Sequence, residues 1–391
     1  MELIRPRLLF LVTEDWYFWS HRIGLALAAQ DEGFDILVAA RAGACAERIR
    51  RAGLRLLPLR MLKRGAPGVR DLAAVAEIFR IYRRVRPHLV HHIALKPVIC
   101  GSYAARLARV PTVVNAIAGL GSAFIGDGKR SWVVRAALRP ALRAAVATPR
   151  SITIFQNRDD QTEFARAGIL GGRAAVIRGS GVDTDRFIVS EEPPGPPLVM
   201  LPARMLWDKG VGEFVEAARL VSRRGVTARF VLVGKVDPTN PSGIAESQLR
   251  AWTNEGLVEW WGHRDDMPAT LAAAHVIVLP SYREGLPKVL LEAAACGRAI
   301  VATDVPGCRE IVRHEVNGLL VPPNDSPALA DAICTLTADP SFRGEAGRRG
   351  RAIVSAEFSL ARIAAETIST YRQAMDPSLI PVVTCGWRAR V

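Results

Sequence analysis

The chain has 391 residues, enough for two domains that each bury a core of their own. Its hydrophobic content of 49% is that of a globular protein, and no stretch approaches the roughly 18 apolar residues needed to span a bilayer. The short apolar run near the amino terminus ends at Glu14 and Asp15, so it predicts a first strand rather than a signal peptide. We therefore expect a cytoplasmic protein.

Six cysteines are scattered along the chain without paired spacing, at positions 45, 100, 296, 308, 334 and 385. This pattern predicts buried free thiols, because disulfide frameworks and zinc sites use closely paired cysteines. It is typical of a reducing compartment.

The net charge of +14 is unevenly distributed. Residues 1–190 carry 30 Lys and Arg against 15 Asp and Glu, whereas residues 191–391 carry 22 against 23. A basic excess confined to one half favours an anionic partner, which is a nucleic acid, a membrane surface or a polyphosphate substrate. Composition leaves these three open.

The first half alternates predicted strands and helices. The strands are Leu8–Thr13, Ile36–Ala40, Leu54–Leu59, Leu89–Ile93, Thr112–Ala116 and Ile152–Asn157. Such alternation predicts a parallel sheet with helices on both faces. The segment after the first strand, residues 14–22, is predicted as an aromatic and polar loop that leads into a helix from about residue 20 to 32. A ligand of the sheet would approach here, so this loop is a lid, an acceptor platform or a local hydrophobic plug.

Two basic segments of the first half are candidate membrane contacts. Residues 129–147 predict a basic amphipathic helix with Arg135, Arg139 and Arg143 in register, interrupted or kinked at Pro140. A second cluster, Arg80, Arg83, Arg84 and Arg86, ends another predicted helix. Basic amphipathic helices suit an anionic lipid surface, and a solvated helix face is the alternative.

A proline-rich segment at 191–197 marks the predicted domain boundary. It divides a first domain, 1–190, from a second, 191–375, and leaves residues 376–391 as a tail. The second domain restarts the alternation. Its strands are Leu198–Ala203, Phe230–Val233, Val276–Leu279, Ala299–Thr303 and Gly318–Val321.

Two cations and two carboxylates follow strands of the second domain. Arg204 and Lys209 flank the loop after the first of these strands, where a guanidinium and an ammonium can grip a diphosphate. Glu284 lies in the loop after Val276–Leu279, and Glu292 lies eight positions later on the following helix. The simpler interpretation of Glu292 is an ion pair with Lys288, although that order of charges is the weaker one on a helix.

The run Glu284-Gly285-Leu286-Pro287 with Glu292 and Gly297 resembles the E-x7-E signature of retaining GT-B glycosyltransferases. It looks most like family 4 (group 1), which includes capsular and O-antigen polysaccharide transferases. The resemblance implies an α/β fold with two Rossmann-like parallel-sheet domains facing each other across a cleft. It also implies a final helix that crosses back to the first domain.

The same resemblance implies roles for individual residues of the second domain. Arg204 and Lys209 match an Arg-x4-Lys pair that neutralises the donor diphosphate, together with the amides of Gly285 and Leu286. Glu284 would hold hydroxyls of the donor sugar and Glu292 those of the ribose. His263 and Arg264 follow a predicted strand where the family holds the nucleotide base.

For the first domain the resemblance implies acceptor binding, with Trp16, His21, Arg22, Gly119 and Gly121 as candidates. The implied activity is that of a retaining, metal-independent hexosyl- or N-acetylhexosaminyltransferase without a cofactor. It would move a sugar from a nucleotide-sugar, with a UDP-hexose or UDP-N-acetylhexosamine as the first expectation, to a lipid-linked or polysaccharide-precursor acceptor in cell-surface glycan synthesis. A polyprenyl-diphosphate-linked glycan at the inner face of the plasma membrane is the expected acceptor and fits the basic first half of the chain. Two alternatives are a GT-B synthase with a soluble acceptor and a non-enzymatic nucleic-acid-binding protein. The pI near 10.2 favours the latter but leaves the carboxylates unexplained.

Overall fold

The structure is a computed structural model that describes residues 5–63, 65, 68, 71–119, 139–148 and 151–375. It divides the chain into two compact units. Unit 1 contains Met1–Ser180 and Leu360–Val391, and unit 2 contains Gly181–Ser359. Each unit is built on one parallel sheet, which confirms the predicted α/β class.

The sheet of unit 1 has seven strands. They are β1 (Arg7–Glu14), β2 (Asp35–Arg41), β3 (Arg55–Pro58), β4 (Leu89–Ile93), β5 (Thr112–Ile117), β6 (Ser151–Phe155) and β7 (Arg173–Val176). Their spatial order is β3-β2-β1-β4-β5-β6-β7. The chain adds β2 and β3 on one side of β1 and β4 to β7 on the other, so the order of the strands reverses between β1 and β4. Leu8 and Phe10 of β1 belong to one buried core and Leu9 and Leu11 to another, so both faces are covered.

Among the described residues of unit 1, seven helices precede unit 2. They are α1 (Asp15–His21), α2 (Ile23–Asp31), α3 (Ala46–Arg51), α4 (Asp71–Val85), α5 (Leu95–Ala108), α6 (helical residues 139–146) and α7 (Arg158–Arg166). The predicted loop after β1 is therefore wrong, because α1 begins at once at Asp15. The single helix predicted from about residue 20 is divided at Arg22, whose φ of −129° is not helical. Arg135 and the rest of the predicted basic helix before residue 139 lie outside the described residues.

The sheet of unit 2 has six strands. They are β8 (Leu198–Pro202), β9 (Arg229–Val233), β10 (Glu259–Trp260), β11 (Val276–Leu279), β12 (Ala299–Thr303) and β13 (Gly318–Val321). Their order is β10-β9-β8-β11-β12-β13, which reverses direction between β8 and β11. The helices of this unit are α8 (Val211–Arg223), α9 (Glu246–Asn254), α10 (Met267–Ala272), α11 (Lys288–Ala295), α12 (Cys308–Ile311), α13 (Ser326–Ala338) and α14 (Pro340–Glu357).

The last helix, α15 (Leu360–Ala374), belongs to unit 1. Ile363, Ile368 and Tyr371 enter the core that also contains Phe10, and the Tyr371 hydroxyl lies 2.6 Å from His91 Nδ1. The expectation that the final helix joins the first domain is confirmed. The predicted second domain extended to residue 375, whereas unit 2 ends at Ser359, before this helix.

The predicted boundary at 190/191 was also wrong, because residues 181–190 belong to unit 2. Three arginines of unit 2 hold this segment and the start of the proline-rich run, and two of them, Arg298 and Arg343, are buried. The contacts are Arg298 with Ser190 Oγ and the Glu191 carbonyl, Arg343 with the Glu192 carboxylate, and Arg351 with the carbonyls of Thr184 and Phe187. A buried guanidinium needs its hydrogen bonds satisfied, and this segment supplies the acceptors. The tail at 376–391 lies outside the described residues.

The five described cysteines are free. Cys100, Cys296 and Cys308 are buried as predicted, whereas Cys45 and Cys334 are half-buried. None of the helices within the described ranges combines the length and apolarity that crossing a bilayer requires.

Candidate active site

The strand order of unit 2 brings the loops after β8 and β11 side by side. All strands of this sheet are parallel, so their carboxyl ends share one edge, and the order reverses between these two strands. Ligands of open parallel sheets bind outside the carboxyl ends of strands at such a reversal. Arg204 and Lys209 follow β8, and Glu284 follows β11.

Lys209 and Glu284 form an ion pair at this point, through Nζ and Oε1. Their side chains are 21% and 11% exposed, so the pair is largely shielded from water. Gly210 makes the approach of the two loops possible. Its φ is +70°, and a Cβ there would lie 2.1 Å from the carbonyl oxygen of Pro280. The glycine at position 210 therefore allows the loop that carries Lys209 to approach the loop that carries Glu284.

Arg204 is held by a residue that the sequence did not single out. Its Nη1 lies 3.0 Å from Oδ2 of Asp237, whose other oxygen accepts a 2.8 Å hydrogen bond from Thr239. Asp237 follows β9, the neighbour of β8, and is 9% exposed. A carboxylate just beyond the carboxyl end of a strand was the available signal. Each predicted cation thus has one carboxylate partner.

The loop that carries Glu284 is tied to the start of α8. The Tyr282 hydroxyl donates to Glu213 Oε1 at 2.7 Å, and the Tyr282 amide donates to the Asp208 carbonyl at 3.1 Å. Burial and the Glu213 carboxylate raise the pKa of Tyr282, which keeps its hydroxyl protonated as a donor. These bonds fix Glu284 relative to Lys209 from both sides. Tyr282 carried no signal in the sequence.

Helix α11 follows directly, with Pro287 at its N-cap position and no side-chain cap. Glu292 on this helix is 7% exposed and lies 2.8 Å from Lys288 Nζ. The simpler interpretation of Glu292, an ion pair one turn apart, therefore describes a contact that exists. Gly285 and Leu286 lie between Glu284 and this helix.

His263 and Arg264 follow β10, the edge strand on the far side of β9. His263 Nε2 lies 3.6 Å from Asp265 in an exposed position, and the Arg264 guanidinium lies 5.5 Å from the centre of the Trp261 ring. They share the carboxyl edge with Arg204. Two strands separate them from β11 and the loop that carries Glu284.

The acceptor candidates of unit 1 divide into exposed and buried groups. Trp16 is 39% exposed, and the Tyr17 ring stacks on His21 with centroids 4.4 Å apart. Phe18 is fully buried against Phe10, so the aromatic segment is partly a platform and partly a plug. The remaining candidates differ in kind: Arg22 is buried, Gly119 has a φ of +89°, and Gly121 lies outside the described residues.

Comparison with known proteins identifies the family. Residues 7–153 match the family model described as glycosyl transferase 4-like, and residues 196–339 match that of the glycosyl transferases group 1. An alpha-maltose-1-phosphate synthase of Mycolicibacterium smegmatis is 32% identical over 308 residues, which cover 70% of this chain and 76% of the relative. The chain belongs to the group 1 glycosyltransferases.

Two further relatives of this glycosyltransferase are named for lipid-linked substrates. An N,N'-diacetylbacillosaminyl-diphospho-undecaprenol alpha-1,3-N-acetylgalactosaminyltransferase of Campylobacter jejuni is 27% identical, over 83% of this chain and 88% of its own. A UDP-Gal:alpha-D-GlcNAc-diphosphoundecaprenol alpha-1,3-galactosyltransferase of Escherichia coli is 27% identical, over 69% and 72%. Among solved structures, Anabaena HepE in complex with UDP and glucose has a TM-score of 0.75 at 23% identity, over 93% and 98%. The glycosyltransferase has the GT-B fold.

Proposed function

We propose that this glycosyltransferase moves a hexose or N-acetylhexosamine from a UDP-sugar, with retention, to a sugar carried by polyprenyl diphosphate in the synthesis of a cell-surface glycan. Two relatives named for undecaprenol-linked substrates support the acceptor, and one of them names a UDP-sugar donor. The proposed donor site is the carboxyl edge of the sheet in unit 2.

The observation that carries the donor site is the contact of Lys209 with Glu284 where the strand order reverses. A diphosphate leaving group gains negative charge as its bond to the anomeric carbon breaks. An ammonium has three donors, so Lys209 can keep one on Glu284 and aim the others at phosphate oxygens. Glu284 Oε1 accepts from Lys209, which leaves Oε2 for a hydroxyl of the sugar.

Hydrogen-bond donors that already point at the leaving group stabilise the transition state without having to reorient. In other enzymes, removing one such donor lowers the rate by about 10²–10³. Arg204 would bind the same diphosphate while Asp237 holds its other side. Glu292 would bind the ribose, His263 and Arg264 the base, and Gly285 and Leu286 the phosphate through their amides. Front-face attack, as the family resemblance implies, would give retention.

We propose further that Arg204 and Lys209 replace a metal ion in neutralising the diphosphate, and that no cofactor takes part. The test is a transfer assay with EDTA and with added Mg²⁺ or Mn²⁺. An unchanged rate supports the proposal, and a rate restored only by a metal contradicts it.

The acceptor would bind unit 1 through Trp16, His21, Gly119 and Gly121 together with Arg22. The basic excess of residues 1–190 supports peripheral binding at the inner face of the plasma membrane, because anionic lipids attract such surfaces. A second candidate acceptor is a soluble sugar phosphate, which the Mycolicibacterium smegmatis relative favours through its name.

Transfer of labelled sugar from a panel of UDP- and GDP-sugars into organic-extractable lipid tests the proposal. The full chain is mixed with bacterial membranes, and Lys209→Met and Glu284→Gln are compared with Arg219→Met. Arg219 is a matched control because it pairs with Glu255 at 2.7 Å in the same unit, away from the strand ends.

Label entering the lipid from a UDP-sugar, and falling at least 100-fold in the two site variants alone, supports the proposal. Label entering only water-soluble sugar phosphates moves the acceptor to the second candidate. Equal activity of all three variants contradicts the donor site.

A further inference from the structure

Arg22 is buried in unit 1 without a partner for its charge. The residue is 4% exposed, and its Nε is enclosed and has no hydrogen-bond partner. No carboxylate within the described residues pairs with its guanidinium. Arginine keeps its proton in proteins, so a full positive charge stands here uncompensated.

The other two buried arginines in the described part of the chain show what a structural arginine requires. Arg298, 1% exposed, donates to Ser190 Oγ and to the carbonyls of Glu191 and Ala272. Arg343, 4% exposed, forms two hydrogen bonds with the Glu192 carboxylate. Burial of an unpaired charge is strongly unfavourable. Proteins retain such charges mainly at sites that bind a ligand or catalyse a reaction. Arg298 also has an unpartnered Nε, but its terminal nitrogen has three acceptors, whereas no described residue accepts a hydrogen bond from the Arg22 side chain.

The surroundings of Arg22 contain a second unsatisfied group. The fully buried His91 contacts the Tyr371 hydroxyl through Nδ1, while its Nε2 has no partner. Burial lowers the pKa of His91 well below its usual value, and the positive charge of Arg22 lowers it further. The Phe10 ring lies 5.5 Å from the His91 ring and 5.7 Å from the Phe18 ring, and the Phe18 carbonyl accepts a hydrogen bond from the Arg22 amide. The imidazole is therefore neutral, and its Nε2 has no hydrogen-bond partner among the described residues.

This cluster lies where ligands of a parallel sheet bind. His91 is on β4 and is in register with Phe10 of β1, and the order of strands in unit 1 reverses between these two. Arg22 immediately precedes α2, which has nine residues and no side-chain cap. The residue that follows β4, Ala94, has φ +76° and ψ 160°, a conformation that is almost confined to glycine.

We propose that Arg22 binds a phosphate group of the acceptor at this reversal in unit 1, with the first amides of α2 beside it. The assignment rests on the proposed function, since it names the part of the acceptor that this unit recognises. The shared chemistry is a phosphate ester. Its source is either the diphosphate of a polyprenyl-linked sugar or a soluble sugar phosphate.

The test is binding of inorganic pyrophosphate to the full chain while UDP saturates unit 2, measured by calorimetry and by the melting temperature. One equivalent of pyrophosphate should bind in the presence of UDP. Arg22→Met should weaken this binding at least tenfold and leave UDP binding unchanged. Arg22→Lys, which keeps the charge but loses the planar fork, should weaken it less. The control is Arg83→Met on the exposed side of α4, which should change neither.

A structural role would give a different result without ligand. If Arg22 stabilises the fold, Arg22→Met lowers the melting temperature. If it awaits an anion, removing its charge raises the melting temperature of the ligand-free protein and abolishes the shift with pyrophosphate. The Arg22→Lys variant gives the affinity comparison if Arg22→Met does not fold.

Competition for pyrophosphate distinguishes the two sources. Tighter competition by farnesyl diphosphate indicates a lipid carrier, and tighter competition by glucose 1-phosphate indicates a sugar phosphate. The proposal is overturned if UDP binds but no pyrophosphate binds beside it, or if Arg22→Met and Arg22→Lys bind it as the unaltered chain does. If UDP itself does not bind, the proposed donor site fails instead.

Discussion

Gly307 lies against the loop that carries Glu284, and replacing it with alanine should displace this loop. Comparison with a glycine that has a similar φ but open space around it separates the cost of backbone strain from the effect of that displacement. Gly307 has φ +84°, and a Cβ there would lie 2.5 Å from the Gly285 oxygen and 2.9 Å from the Glu284 oxygen. Ordinary contact begins near 3.4 Å, so this backbone must give way by about 0.9 Å. The neighbours are backbone atoms, which cannot rotate aside as a side chain does.

The expected cost of Gly307→Ala has two parts. An alanine held at this positive φ costs about 1–3 kcal/mol of stability, and the overpacked contact adds about 1–3 kcal/mol. A displacement near 1 Å at an active site can cost about 100-fold in rate. We therefore expect kcat/KM for the proposed UDP-sugar donor to fall by about 10- to 100-fold in protein that remains folded.

Gly256→Ala is the matched control, because Gly256 has φ +73° but nothing lies within 4 Å of the added Cβ. It should lose about 1–2 kcal/mol of stability and keep its kcat/KM. Urea unfolding and steady-state transfer measure the two quantities on both variants. If Gly307→Ala keeps the kcat/KM of Gly256→Ala, the packing of Gly307 does not position Glu284 and the reasoning is refuted.

Three further predictions concern charge and burial. Asp237→Asn should weaken UDP-sugar binding about tenfold, because Arg204 loses a charged hydrogen bond that orients it; tighter binding would show that Asp237 competes with the ligand. Burial lowers the pKa of His92 to about 4, so the folded state binds fewer protons than the unfolded state below about pH 6.5. His92 should therefore contribute about 3 kcal/mol to the fall in the free energy of unfolding between pH 6.5 and 4, so the fall should be smaller by about that amount in His92→Gln; an equal fall in both would assign the effect to other groups. Arg343→Met should strip Glu192 of its partner and cost about 2 kcal/mol, seen as faster proteolysis near residues 184–193; unchanged proteolysis would show that other contacts hold this segment.

The strands were predictable from sequence because buried parallel strands are short apolar runs bounded by turns. Leu89–Ile93, Val276–Leu279, Ala299–Thr303 and Gly318–Val321 have the predicted bounds. Helix α1 was missed because four aromatic residues in a row have no clear helical period. Its start depends on Asp15, whose carboxylate accepts bonds from the amides of Gly43 and Cys45 far along the chain.

In the candidate site, too, some features were predictable from the sequence and others depend on the folded chain. Spacing and family resemblance indicated Lys209 and Glu284, and the structure brings them into contact. Asp237 follows a predicted strand, but it was missed because its pairing with Arg204 depends on β9 lying beside β8. That Arg22 has no counter-charge is likewise a property of the folded chain alone.

One further consequence follows from the two ends of unit 2. Val182 and Ser359 form a parallel bridge, and the Val182 amide donates to the Phe358 carbonyl at 2.9 Å. The chain therefore starts and finishes this unit at neighbouring points, as an inserted domain does. Such a segment can be cut out at 181 and 359 and joined by a short turn, or exchanged for the same segment of another group 1 glycosyltransferase. Because the proposed donor site lies in unit 2 and the proposed acceptor site in unit 1, recombination at these two points would exchange the first and keep the second.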